Sequence, residues 1–363
     1  MEQTLFFEQV RQFFPGIAQD TVTRLNNSLN PNVLSYTHRR FLTKRFTPNM
    51  KWESLSVSAN IVGADVIAMD SSLPLKKRDS LGRAAGDIPK MGIELALREK
   101  ALTELDILAS IPDQRSEIIR RIFQDTPRVI QAIFETLEYM FLKGLSTGVA
   151  TITDTVNTGL EIDVDYGYLA ANKFKALTAI WSTIATATPL TDLKQLTTKA
   201  RTDGNRVTTF MMDQATFLLM SSTPEVKNLW AAQNNFFGTT IPIPTLNQVN
   251  EAATKATLGW SIEIVDRSVV FEKNGVKTSL VPWATGQVIG RTTDDLGTIT
   301  WGQLAEMNHP VSNVTYERAD EFILVSKYRL NRPSLAEFTS SQAMVLPVIN
   351  GVDAIYKLDT TTT

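Results

Sequence analysis

The chain has 363 residues, with 36 Lys and Arg against 38 Asp and Glu, two His and no Cys. The absence of cysteine excludes a disulfide framework, a thiolate metal site and a cysteine nucleophile, and His38 and His309 are too few for imidazole-based metal or triad chemistry. A formal charge of −2 excludes a globally basic nucleic-acid binder, while the length allows two domains, or one elaborated domain, with a sizeable core.

Residues 4–29 carry two short helical patterns broken at Pro15-Gly16: Phe6, Phe7, Val10, Phe13 and Phe14 in the first, and Val22 and Leu25 behind an Asp20 cap in the second. That many aromatics need a surface to dock on, either the chain's own core or a neighbouring subunit. The basic run His38-Arg39-Arg40-Phe41-Leu42-Thr43-Lys44-Arg45-Phe46 follows. It reads as a solvated face or as a non-specific contact to phosphate. Over residues 50–95 the pattern is a twice-interrupted β-excursion. Leu55, Val57, Ala59 and Ile61 alternate with polar residues, Ala64–Met69 is a second piece, and 70–90 has loop composition with Lys76, Lys77, Arg78, Arg83 and Lys90. Loops of this length are usually functional or stabilised by a partner. Met91–Lys100 reads as the returning strand.

The strongest helical signal runs from Pro112 to Leu145, with Ile119, Ile122, Ile130, Ile133, Phe134, Leu137 and Phe141 at three- and four-residue spacing. Pro127 predicts a break there and a restart capped by Asp125 or Thr126. Residues 151–165 read as a hairpin, Tyr168–Ala187 as a helix, and Asp192–Thr202 as a helix capped by Thr191. Val207–Met212 reads as a buried strand before a helix capped by Asp213. Residues 261–281 read as a β-meander, and Val314–Leu330 with Ala343–Tyr356 as strands. Helices and strands mix without a regular βαβ rhythm, which predicts an α+β fold.

The search for chemistry singles out no catalytic, cofactor-binding or metal-ligating residue. Glu161, Asp163 and Asp165 share one strand face, and a divalent cation held there would make a carboxylate-metal hydrolase; a solvated polar face opposite Leu160, Ile162 and Val164 explains them more simply. Asp294-Asp295 reads as a turn, and no G-x-S-x-G, Walker A, G-x-G-x-x-G or H-E-x-x-H motif occurs. What remains is an aromatic arm, a charged excursion and a broken apolar helix, each in need of a neighbour. Many interlocking copies of one chain would supply it.

Several stretches, in matching order from about residue 50 to about 330, resemble the major capsid proteins of tailed bacteriophages, in particular the lambda-type capsid protein E group. They are Asp70-Ser71-Ser72-Leu73-Pro74-Leu75-Lys76-Lys77-Arg78, Gly86-Asp87-Ile88-Pro89-Lys90, Leu137-Glu138-Tyr139-Met140, Gly144-Leu145-Ser146-Thr147-Gly148, Val164-Asp165-Tyr166-Gly167, Val281-Pro282-Trp283-Ala284-Thr285-Gly286 and Gly290-Arg291-Thr292. The resemblance implies the HK97-type capsid fold. Its parts would be an N-terminal arm over 1–47, an extended loop over 48–95, a peripheral domain over 96–166, an axial domain over 167–315, and a return to the peripheral domain over 316–363. The implied function is self-assembly, through pentamers and hexamers, into an icosahedral head enclosing double-stranded DNA. A separate scaffolding protein, a portal protein and, in some members, a decoration protein or covalent cross-links would accompany it, with assembly in the host cytoplasm and no membrane. On this resemblance Lys76, Lys77, Arg78, Arg83 and Lys90, with Phe6, Phe7, Phe13 and Phe14, are expected at contacts between subunits. Arg39, Arg40, Lys44 and Arg45 are expected to face DNA or a subunit seam. An encapsulin-type compartment shell is the alternative that keeps the fold and changes the cargo.

Overall fold

A computed structural model describes residues 1–26, 36–56, 82–153 and 161–363. Its first elements are α1 (Phe7–Asn26), α2 (Thr37–Phe41), β1 (Leu42–Phe46), β2 (Lys51–Ser56), β3 (Gly82–Asp87) and β4 (Lys90–Arg98). Then come α3 (Glu99–Ala109), α4 (Arg115–Phe123), α5 (Asp125–Thr147), β5 (Val149–Ile152), β6 (Ile162–Asp165), β7 (Lys173–Lys175), α6 (Pro189–Thr202) and β8 (Thr209–Met212). Next are α7 (Gln214–Ser222), α8 (Pro224–Gln233), α9 (Leu246–Lys255), β9 (Ser261–Ile264), β10 (Val269–Lys273), β11 (Val276–Leu280), β12 (Gln287–Arg291) and β13 (Gly297–Gly302). The chain closes with α10 (Ala305–Asn308), β14 (Thr315–Ala319), β15 (Ile323–Leu330), β16 (Ala336–Ile349) and β17 (Ile355–Asp359).

These elements form two compact units. The first gathers Met1–Trp52, Gly86–Tyr139 and Thr298–Val348; the second gathers Met140–Gly297 and Ile349–Thr363 with the described part of Glu53–Ala85. In the first unit the sheet order is β1-β13-β16-β15-β14, and β4 also pairs with β16. The fourteen-residue β16 is its spine, antiparallel to β15 over Ala336–Ala343 and to β4 over Ala336–Met344. Val129, Ile130, Ile133, Phe134 and Leu137 of α5 are buried, as are Phe322, Ile323 and Val325. The Phe134 and Phe322 rings meet edge to face at 6.2 Å.

The second unit holds a mixed sheet, β7-β17-β12-β8-β9. β17 lies parallel to β7 and antiparallel to β12, while β8 lies antiparallel to β12 and parallel to β9. Trp181, Leu193, Leu196, Phe210, Met212, Phe217, Trp260, Val288, Tyr356 and Leu358 form one core cluster.

Four sequence expectations are corrected. α1 runs unbroken through Pro15. An internal proline costs about 3 kcal/mol, but burying Val10, Phe14, Ala18, Val22 and Leu25 along one face outweighs it at roughly 1.5–3 kcal/mol for each large side chain. Residues 168–187 are not a helix. Their backbone N–H groups are drawn to the C-terminal strand segment instead: Lys173–Lys175 pairs with β17, Ala176 N–H donates to Thr362 O, and Trp181 N–H to Thr360 O. The expected meander divides, because β9 joins β8 in the mixed sheet whereas β10 and β11 form a separate hairpin turning at Asn274-Gly275. The excursion also regains strand structure earlier than its composition predicts, at Gly82–Asp87.

Elsewhere most local signals hold. The Pro127 break falls between α4 and α5, and Pro127 sits in the first turn of α5. Asp213 caps α7 by accepting from Thr216 N–H, and β5 pairs with β6 as the expected hairpin. The α6 cap position is Thr188, three residues before the expected Thr191. The Ala64–Met69 piece and the 154–160 turn lie outside the described residues.

Candidate assembly surfaces

The N-terminal arm docks on its own unit. Glu2 and Arg329 exchange backbone hydrogen bonds of 3.1 Å in both directions, and Leu5 N–H donates to Glu337 Oε2 at 3.3 Å. Burial pushes the Glu337 carboxyl up, against the donors from Thr4 and Leu5. Phe14 is fully buried, its ring stacked on Phe123 at 6.4 Å, so it is not available at the surface for a neighbour. Phe6, Phe7 and Phe13 are half-buried and keep part of their rings outside.

Beneath α1 lies Lys327, only 1% exposed. Its Nζ donates to Ile122 O at 2.9 Å and Thr339 Oγ1 at 2.7 Å, and stands 5.1 Å from the Phe123 ring centroid. Burial lowers its pKa to about 8, against the pull of Glu337 and Asp125.

The basic segment is held from a distance in sequence. α2 has no capping side chain of its own; Glu138 on α5 caps it instead, accepting the Thr37 and His38 N–H groups at 2.9 Å each. The same carboxylate meets His38 Nδ1 at 2.6 Å, with both side chains fully buried. Burial alone would raise the Glu138 pKa, but the His38 contact and these donors hold it below the ordinary carboxylate value. Arg39 lies 4.8 Å over the Phe134 ring and reaches Asp320 at 3.3 Å. Lys44 pairs with Asp320 and with Glu321, the latter at 3.2 Å. Two of the four candidate cations are therefore neutralised by the β14–β15 turn. Arg40, whose guanidinium covers Phe41 at 4.5 Å, and Arg45 are exposed. Nothing near 320 in the sequence marks Asp320-Glu321 as their counter-charge, because the pairing spans 276 residues or more.

Of the excursion's basic residues, Lys76, Lys77 and Arg78 lie outside the described residues, as does the Arg83 side chain on β3. Lys90 is exposed at the start of β4. Gly86 is required where it stands: a Cβ there would lie 2.8 Å from Trp52 Nε1, and Trp52 is buried.

Glu161, Asp163 and Asp165 are exposed; Asp163 accepts from the Thr151 hydroxyl at 3.3 Å, and Asp165 accepts from Gly167 N–H at 2.8 Å. Among the described residues no three metal-binding side chains converge. Asp294 pairs with Arg291, which also reaches Glu263 at 3.1 Å. No helix among the described residues is long and apolar enough to cross a membrane. The second unit exposes apolar side chains that periodicity did not flag: Phe237, 95% exposed, and Val270, Val276 and Val281.

A family model described as phage major capsid protein E matches residues 77–360. No curated protein matches the chain. Among solved structures, one assigned as the capsid protein of an Escherichia coli CFT073 prophage aligns with a TM-score of 0.55 at 12% identity, covering 93% of this chain and 98% of its own. The capsid of Myoviridae phage XM1 aligns at 0.45 and 10% identity, covering 90% and 91%. The SrpI encapsulin of Synechococcus elongatus PCC 7942 aligns at 0.42 and 11% identity, covering 92% and 90%.

Proposed function

The chain belongs to the phage major capsid protein E family, and from that premise we propose how its parts serve the shell. It is a major capsid protein with the HK97-type α+β fold, a structural component of a bacteriophage head built from many copies of itself. The match of the family model over residues 77–360 is the observation that carries this reading.

In the finer reading, the first unit corresponds to the N-terminal arm and peripheral domain, and most of the second to the axial domain. The 48–95 excursion reaches a neighbouring copy. Phe6, Phe7 and Phe13 add apolar contact between copies, while Phe14 belongs to the subunit's own core. Single rim ion pairs contribute only about 0–1 kcal/mol, so cohesion comes from repetition of weak contacts around closed symmetric rings. Arg40 and Arg45, both exposed, are the better candidates of the basic segment for DNA phosphate or a seam. A scaffolding protein, a portal protein and packaged double-stranded DNA complete the expected partners, and assembly takes place in the host cytoplasm.

Negative-stain electron microscopy of the purified chain, with scaffold supplied, tests this directly. Closed shells are expected; a monodisperse monomer under every assembly condition would refute it. Deleting residues 70–90 should leave a folded subunit, by circular dichroism, that no longer forms stable shells. A deletion variant that does not fold would place the excursion in the core instead.

A further inference from the structure

The run from Tyr36 to Trp52 holds Arg39, Arg40, Lys44, Arg45 and Lys51 and no acidic residue. β1, which carries Lys44 and Arg45, stands at one end of the sheet order β1-β13-β16-β15-β14, and every residue after its first is exposed. A row of cations along an edge strand is a surface for phosphate oxygens, which accept from Lys, Arg and backbone N–H groups alike.

The turn that joins β14 to β15 meets this row. Asp320 and Glu321 lie in the left-handed region, with φ of 48° and 61°. Aspartate tolerates that conformation, glutamate adopts it at a cost, and glycine would adopt it freely. The backbone gains nothing from Glu321 there; what the two residues add is a pair of carboxylates against Arg39 and Lys44. The pairing is incomplete. Asp320 divides its two oxygens, one to Arg39 at 3.3 Å and one to Lys44, so the guanidinium receives a single contact instead of a two-point fork. Arg39 Nη1 is buried without an acceptor. Burial lowers the Arg39 pKa against the pull of Asp320 and Tyr36, so the carboxylate offsets only part of the cost of enclosing the guanidinium. Lys44 is nearer the surface, its side chain 30% exposed, and is shared between Asp320 and Glu321. Contacts of this kind yield to a row of phosphates, which offers each cation its own charged oxygens.

We propose that residues 39–45 form a binding surface for the phosphates of double-stranded nucleic acid, and that the Asp320-Glu321 turn is an internal competitor that holds Arg39 and Lys44 back while Arg40 and Arg45 stay exposed. The proposal rests on the shell reading and names a regulation of its contact to packaged DNA. Contact begins at Arg40 and Arg45, and a phosphate backbone must displace the turn to recruit the other two cations. Binding is therefore weak while nucleic acid is dilute and strengthens where phosphates are concentrated, as inside a filled head.

The test is fluorescence anisotropy of a labelled DNA duplex of about 30 base pairs, titrated with the unassembled full chain between about 50 and 200 mM NaCl. Asp320→Asn/Glu321→Asn removes both charges and keeps residues that accept a left-handed backbone. This variant should bind about tenfold more tightly at about 50 mM salt, and the logarithm of its affinity should fall more steeply with the logarithm of salt concentration, by about 0.9 for each cation released. Glu99→Gln/Asp106→Asn, which removes the same charge from exposed positions on α3, should leave that slope unchanged. Lys44→Gln should alter binding little in the unmodified chain, yet take about 0.9 from the slope of the asparagine variant. Equal slopes for the unmodified chain and the asparagine variant, or the same gain from the α3 variant, overturn the proposal. Should the double variant fail to fold, Glu321→Asn alone, with and without Lys44→Gln, decides by the same criterion. A turn variant that changes shell formation in light scattering with no change in the DNA slope overturns nucleic acid as the partner in favour of a second copy of the chain. Absence of shells from the unmodified chain counts against the capsid reading, whereas normal shells with equal slopes count against the masked surface alone.

Discussion

Replacing Lys327 by Met should change how stability depends on pH. The ammonium is buried under α1 and its pKa falls from the ordinary 10.5 to about 8. Below pH 8 the lysine is protonated in both folded and unfolded chains, and the fold bears the full cost of burying the charge. Between pH 8 and 10.5 the folded chain releases the proton while the unfolded chain retains it, so stability rises with pH. Each tenfold difference in proton affinity between the two states is worth about 1.4 kcal/mol, so the unmodified protein should gain roughly 2–3 kcal/mol from pH 7 to pH 10 through this group alone. Lys327→Met has no such gain, although it leaves Ile122 O and Thr339 Oγ1 without their donor at every pH. Raised tyrosine pKa values, at Tyr328 and Tyr356 among others, oppose the trend above pH 10, but they are common to both proteins and cancel in the difference. Urea denaturation at pH 7, 8, 9 and 10 measures it. A stability difference between the two proteins that stays flat with pH would refute the reasoning.

Glu138→Ala removes the cap of α2 and leaves His38 buried without its partner; a loss of about 3–5 kcal/mol is expected in urea denaturation. Because the Glu138 pKa is depressed, its contribution should persist above the ordinary carboxylate value and disappear as pH falls through the folded value, so the variant's deficit should shrink in acid. Gly144→Ala places a methyl group against the buried Tyr166 ring and should cost about 1–3 kcal/mol, read as a lowered Tm. Phe237→Ser should leave subunit stability within about 0.5 kcal/mol, because the ring touches little of its own chain; any loss of shells by light scattering then reports contact with another copy.

Features encoded by neighbouring residues were legible in the sequence. Pro127 with Asp125 marks a restart within one turn, Asp213 caps the helix that starts at the next residue by accepting from Thr216 three residues on, and alternating residues give β5 and β6. Two further helices carry equally local marks, Pro224 after Thr223 and the Thr245–Gln248 capping box. Features decided by distant partners were not legible. Residues 168–187 have a helical pattern, yet their N–H groups find acceptors at Thr360 and Thr362. Pro15 reads as a break until the buried face of α1 is set against its cost. The same holds for the surfaces: Arg39 and Lys44 read as free cations until Asp320 is brought beside them.

Both sheets receive an interior strand last. β16 at 336–349 separates β15 from β4 in the first unit, and β17 at 355–359 separates β7 from β12 in the second. A chain emerging from the ribosome can therefore close neither unit until nearly all of it has been made. Contacts of such long sequence separation slow folding and leave sheet edges open in the meantime. A nonsense codon near residue 335 would thus yield a product with no intact half, and the growing chain is most prone to aggregate during synthesis, before any shell can begin.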